Sequence, residues 1–181
     1  MNANINKEFQ AAVDELNARF VQARCDLNYH NGFIQRSTDP LSEEQVEKPF
    51  WALIRDPQWK NVDLDMKEAL DQRDSGARDP AFYAARALER TIKIVSDLRC
   101  LTHGREKGAH NFIDNLASQR GAFIAPWKGE TLKRFFSEVR NPMGHGPGSG
   151  AMVPLNEHQT TWAIDFCMTW IKSLVRRIAD G

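Results

Sequence analysis

Arg140 and His145 are the residues of this chain best suited by type and spacing to do chemistry together. They stand in the run Arg140-Asn141-Pro142-Met143-Gly144-His145-Gly146-Pro147-Gly148. Arginine presents a planar fork of donors that matches the oxygens of a phosphate. Histidine carries or releases a proton near neutral pH. The amide of Asn141 can orient a neighbouring ring or donate to the same oxygens. Gly144, Gly146, Gly148 and Gly150 let a backbone approach a ligand closely, and they equally mark an ordinary loop. Arg140 would also suit the negative end of a helix dipole with no further role. Spacing alone leaves the functional and the capping readings both open.

The flanking pattern is helical. Leu132, Phe135, Phe136 and Val139 predict a helix over about 130–139. Arg140, four residues after Phe136, extends its apolar stripe and so faces the bundle or a groove. Pro142 and the glycines stop regular continuation. A last helix over about 156–178 turns Ala163, Cys167, Trp170, Ile171, Leu174 and Ile178 inward. Upstream, Asp79-Pro80 is a start signal, an N-cap acid before proline. The helix it opens has the stripe Ala81, Ala85, Leu88, Ile92 and Val95, with Glu89 and Lys93 four apart in the favourable order. Further helices are expected over about 61–73 and 109–119. Phe50, Trp51, Leu53 and Ile54 read as a short helix or turn docked on the core. Phe9, Val13, Leu16, Phe20, Ala23 and Leu27 form one stripe along an N-terminal helix of about 5–30, with Gly32 as its stop. That stripe must pack on this chain's core or on a second subunit. No alternating strand pattern of useful length is seen. The expectation is an all-α antiparallel bundle over 41–181, with an N-terminal helical extension and linker over 1–40.

Composition narrows the function classes. The chain has 181 residues, with 24 Lys plus Arg against 24 Asp plus Glu, so its net charge is zero. A balanced total argues against a broad electrostatic footprint on nucleic acid while leaving room for a local patch. Lys133, Arg134 and Lys93 are the candidate RNA-contacting cations, although Lys133 and Arg134, with Lys128, would equally form a solvated helix face. His103, His110 and Asp114 lack metal-ligand spacing, so no metal and no cofactor is expected. Cys25, Cys100 and Cys167 are widely spaced and read as reduced thiols. No apolar run reaches membrane-spanning length, and the first residues lack a secretory pattern, so a cytoplasmic protein without membrane contact is expected.

Arg140-Asn141, three residues, then His145 resembles the Arg-x4-6-His signature of the HEPN superfamily. The stretch from Phe135 through Gly148, with Trp162-Ala163-Ile164 and Leu174-Val175-Arg176-Arg177, is similar to the abortive-infection C-terminal branch of that superfamily. Ala84-Ala85-Arg86-Ala87-Leu88-Glu89-Arg90-Thr91-Ile92-Lys93 is similar to that branch's early core helix. The resemblance spans about residues 60–178. It implies a HEPN-like bundle that dimerises so that two motifs meet in one cleft. It also implies a metal-independent endoribonuclease of bacterial antiphage defence, a toxin held in check by an inhibitory or sensor protein. Arg140, His145 and Asn141 would be catalytic and Glu89 supporting. Pro147 stands where the His-x-Tyr branch has tyrosine. The alternative is a non-catalytic HEPN-like module that binds a nucleotide, RNA or a protein.

Overall fold

The computed structural model describes residues 3–30, 32–37, 40–77, 79–142 and 155–179. His145, with the glycine run around it, lies outside the described residues. The fold is mostly helical, as the apolar periodicity requires, with one small sheet.

The centre is helix α5 (Pro80–Leu98). Its buried face is built from small residues, Ala81, Ala84, Ala85 and Ala87, alternating with Leu88, Ile92 and Val95. Helix α4 (Lys60–Asp74) packs on one flank of α5 and the last helix, α8 (Glu157–Ala179), on another. Alanine lets both neighbours approach closely, and their larger side chains, Met66, Leu70, Cys167 and Ile171, fill the space with no exposure at all. Helices α6 (Ala109–Ala117) and α7 (Pro126–Phe135) pack against each other beside it. Their close approach falls at Gly129, where an added Cβ would meet the Cβ of Ala117 at 3.1 Å. Before α4, short helix α2 (Pro40–Ser42), a π turn Glu43–Glu47 and α3 (Lys48–Leu53) form the docked segment expected there. Its Phe50 and Trp51 are buried.

The N-terminal region departs from the expectation. Helix α1 runs Ala3–Gln22, not to about residue 30, and is followed by an antiparallel hairpin, β1 (Leu27–His30) and β2 (Phe33–Arg36). The helix stops because Arg24 takes a left-handed φ of 53°. The Arg24 N–H then donates to the Val21 carbonyl and the Cys25 N–H to that of Phe20, a Schellman closure made without glycine. Gly32, read as a helix stop, instead has φ 92° in the hairpin turn. Asn17 fastens α1 to the free edge of β1: its side chain accepts from Tyr29 N–H at 2.7 Å and donates to Tyr29 O at 3.1 Å. The apolar stripe of α1 is not taken into this chain's core, since Ile5, Phe9 and Leu16 are 60, 59 and 37% exposed.

The hairpin's inner face carries one aromatic, Phe33, edge-on to Trp51 at 5.6 Å, and is otherwise polar, which is why no strand alternation of hydrophobic residues announces it. Asn28 and Gln35 stand opposite each other and are buried. The Gln35 amide donates to the buried Glu47 carboxyl, while Asn28 Oδ1 and Gln35 Oε1 have no partner among the described residues. Burial pushes the Glu47 carboxyl up to about 7, against the opposing pull of Gln35 and the Arg73 charge. A carboxyl raised on folding binds its proton more tightly in the folded state. Its contribution is therefore complete below about pH 4.5 and is lost as pH climbs to about 7. Stability should fall by on the order of 3 kcal/mol across that interval. In Glu47→Gln, denaturant unfolding at pH 5 and pH 8 should lose most of this difference. An unchanged difference would mean that Glu47 does not govern it.

Candidate phosphate-binding site on helix α5

Arg140 is carried by a π turn, Phe136–Arg140, that continues α7. The turn closes with the Asn141 N–H donating to the Phe136 carbonyl, five residues back. A regular turn would set the Pro142 ring against the carbonyl of Glu138 and find no N–H to bond it. The wider turn accommodates the proline, and helical backbone persists to Pro142. Phe136 stays buried below, and Arg140 is held between the turn and α5 with its side chain 22% exposed.

There Arg140 meets Glu89. Arg140 Nη2 lies 3.2 Å from Glu89 Oε2, and Lys93 Nζ lies 2.8 Å from Glu89 Oε1. One carboxylate thus bridges two cations. Arg140 Nη1 also donates to Asn141 Oδ1 at 3.5 Å, and the guanidinium sits 5.7 Å from the centre of the Phe82 ring. Arg140 Nε is buried and has no hydrogen-bond partner among the described residues. Lys93 in turn lies 5.8 Å from the ring centre of Phe112 on α6.

A second cluster adjoins the first. Asp65 of α4 is buried, and its Oδ1 accepts from Arg86 Nε at 3.0 Å and Nη2 at 2.7 Å. Its Oδ2 accepts from Arg90 Nε at 2.5 Å. Arg86 also reaches the Phe82 ring at 5.9 Å and the Tyr83 ring at 4.8 Å. Phe82, Arg86, Glu89, Arg90 and Lys93 recur at the spacing of one helix face. This is the face of α5 that the core leaves open, bordered by Asp65 on one side and Arg140 on the other.

The structure brings together Arg140, Asn141, Glu89 and Lys93 from the sequence-predicted set. Lys133 does not join them. It is turned to α6, where it contacts Asp114 and lies 3.1 Å from Glu130, two carboxylates that raise its pKa. Arg134 is exposed on α7. His145 falls outside the described residues. Asp65, Arg86, Arg90 and Phe82 were not legible as site residues. Asp65 lies 21 positions before Arg86 on another helix, and no local spacing links them.

A cleft of about 1420 Å³ lies elsewhere, between the hairpin and the starts of α5 and α8. Its described lining holds Asp26, Asp74, Asp79, Glu157 and Asp165 against Arg36 and Arg73, a balance that repels phosphate. Among the described residues no cluster of three or more His, Cys, Asp or Glu side chains suits a metal ion. No described helix is long and apolar enough to cross a membrane. Neither a protein family, nor a curated protein, nor a solved structure matches the chain.

The Arg140–Glu89 contact can be tested for its structural weight. Glu89→Ala leaves a half-buried guanidinium without its counter-charge and should cost about 1–3 kcal/mol in urea unfolding. Arg140→Met combined with Glu89→Gln should cost less than Glu89→Ala alone, because neither charge is then stranded. A double variant as unstable as the single would refute this account of the pair.

Proposed function

We propose that this chain is a HEPN-type, metal-independent endoribonuclease, active as a homodimer and serving bacterial defence by abortive infection. The observation that carries the reading is Arg140 itself. It is a half-buried cation on a π turn at the motif's position, facing a carboxylate–lysine pair, with one donor left unsatisfied. π turns of this kind recur at functional sites.

On this reading the 2′-hydroxyl of RNA attacks the adjacent phosphorus. Its proton passes to a base, His145, as the new P–O bond forms. The P–O5′ bond breaks and the leaving 5′-oxygen takes a proton, giving a 2′,3′-cyclic phosphate and a 5′-hydroxyl. Arg140 neutralises charge that builds on the non-bridging oxygens. Asn141 orients the histidine or donates to those oxygens. One histidine cannot readily serve as base and acid in a single step, and His145 of a second copy meets that need. Residues outside the motif restrain Arg140 in the isolated chain, since its partner Glu89 competes with any incoming phosphate. A partner protein that checks the toxin belongs to the same proposal, as does a cytoplasmic site of action.

The alternative, a non-catalytic HEPN-like binding module, is favoured by one observation: Arg140 is already engaged by Glu89. RNA cleavage in the presence of EDTA separates the two readings. Wild type should cleave, and Arg140→Ala and His145→Ala should lose activity by at least a hundredfold. Three proteins that behave alike would end the nuclease reading.

The exposed stripe of α1 supports self-association, since Ile5 and Phe9 stay more than half exposed. Sedimentation of Phe9→Glu should give half the mass of wild type, with cleavage lost in parallel. A variant that keeps the wild-type mass would rule out this stripe as the dimer contact.

A further inference from the structure

We infer that the open face of α5 is an RNA track, on which phosphates of a single strand lie along Arg86, Arg90 and Arg140. The inference rests on the RNA reading of Arg140 and adds where the strand runs. Four observations carry it.

The first is preorganisation. Asp65 is buried and accepts three hydrogen bonds from the two α5 arginines. Two long side chains are thereby fixed before any ligand arrives. Those bonds engage Nε and Nη2 of Arg86 and only Nε of Arg90. The two side chains stay 36 and 42% exposed, so each keeps surface for a ligand.

The second is charge. Among the described residues, Arg86, Arg90, Lys93 and Arg140 are paired with two carboxylates, Asp65 and Glu89, so a protein of zero net charge gathers a local positive excess here. The third is the aromatic ground between the cations. Arg140 and Arg86 both lie within 6 Å of the Phe82 ring centre, and Tyr83 meets Phe82 edge-on at 5.5 Å. Cations interleaved with rings suit a strand whose phosphates pair and whose bases stack. The fourth is length. Phe82 to Lys93 spans about 16 Å of helix at ~1.5 Å per residue, enough for a short stretch of backbone. The stripe ends at Asp97, whose carboxylate accepts from Thr102.

The test is equilibrium binding of a labelled 2′-O-methyl oligoribonucleotide, which cannot be cleaved because the attacking oxygen is blocked. Affinity is measured by fluorescence anisotropy over a series of salt concentrations. Arg90→Gln keeps Asp65 paired with Arg86 and should bind several-fold more weakly. Its slope of log affinity against log salt should be shallower by about 0.7, the value for one phosphate contact on a single strand. Arg90→Lys retains the charge and should keep the wild-type slope. Arg120→Gln, exposed in the turn after α6, should change neither quantity. A wild-type slope in Arg90→Gln, an equal loss in Arg120→Gln, or no RNA binding by the wild type would each overturn the track. A thermal melt of Arg90→Gln close to wild type excludes misfolding as the cause of weaker binding. Because no step requires cleavage, the outcomes stay separate. RNA bound through Arg90 without turnover removes the nuclease reading and leaves the track. Turnover with a salt slope indifferent to Arg90 does the reverse.

Discussion

The packing of α5 between α4 and α8 is the constraint on which the remaining structure depends. A helix in contact on both flanks needs a narrow buried face, and Ala81, Ala84, Ala85 and Ala87 provide it. Thr91 and Ser96, also buried there, return their hydroxyls to the carbonyls of Ala87 and Ile92 one turn back, so no polar group is stranded. With the inner face committed, everything charged on α5 is confined to what remains open. Arg86, Glu89, Arg90 and Lys93 are therefore held in a row by core packing before any of them meets a partner. A rigid helix sets such a row more sharply than a loop does.

That organisation was partly legible in the sequence. Leu88, Ile92 and Val95 marked the inner stripe of α5, and Asp79-Pro80 marked its start. Asp79 nevertheless works through its backbone, with φ 61° and no side-chain cap bond. The stripe of α8 lies inward through Cys167 and Ile171, as its period implies. At α1 the period misleads for a definite reason. Ala23 and Leu27 keep the helical period by coincidence across the Schellman turn at Arg24, so the pattern runs on where the backbone does not. The hairpin gives no hydrophobic alternation because its fully buried residues are Asn28 and Gln35, with Phe33 alone as an apolar anchor against Trp51. Its docking also depends on Glu47, 12 positions from Gln35.

The candidate site divides in the same way. Arg140 and Asn141 are neighbours in sequence, and their place beyond Phe136 on an apolar stripe indicated a groove rather than open water. Glu89 and Lys93 formed a visible pair of local origin. What joins the two halves is a contact across 51 positions, and it depends on the π turn at Phe136–Arg140. Lys133 shows the converse. Its closeness to Arg140 along the chain suggests a common track, yet helical rotation takes it to Asp114 of α6.

The remaining question is why an arginine occupies position 140. An ion pair that is mostly buried is weak evidence for stability, because desolvation offsets much of the attraction. A capping arginine would bond carbonyls at the end of its own helix, but the bonds of Arg140 go to Glu89 and Asn141. An apolar side chain of similar length would fill the space without leaving Nε unsatisfied, a cost of about 1–3 kcal/mol. On the proposed reading the arrangement allows an exchange of partners. Glu89 is shared with Lys93 at 2.8 Å, so an Arg140 that turned to a phosphate would leave the carboxylate with one counter-charge, and the bridge would lower the cost of releasing the arginine.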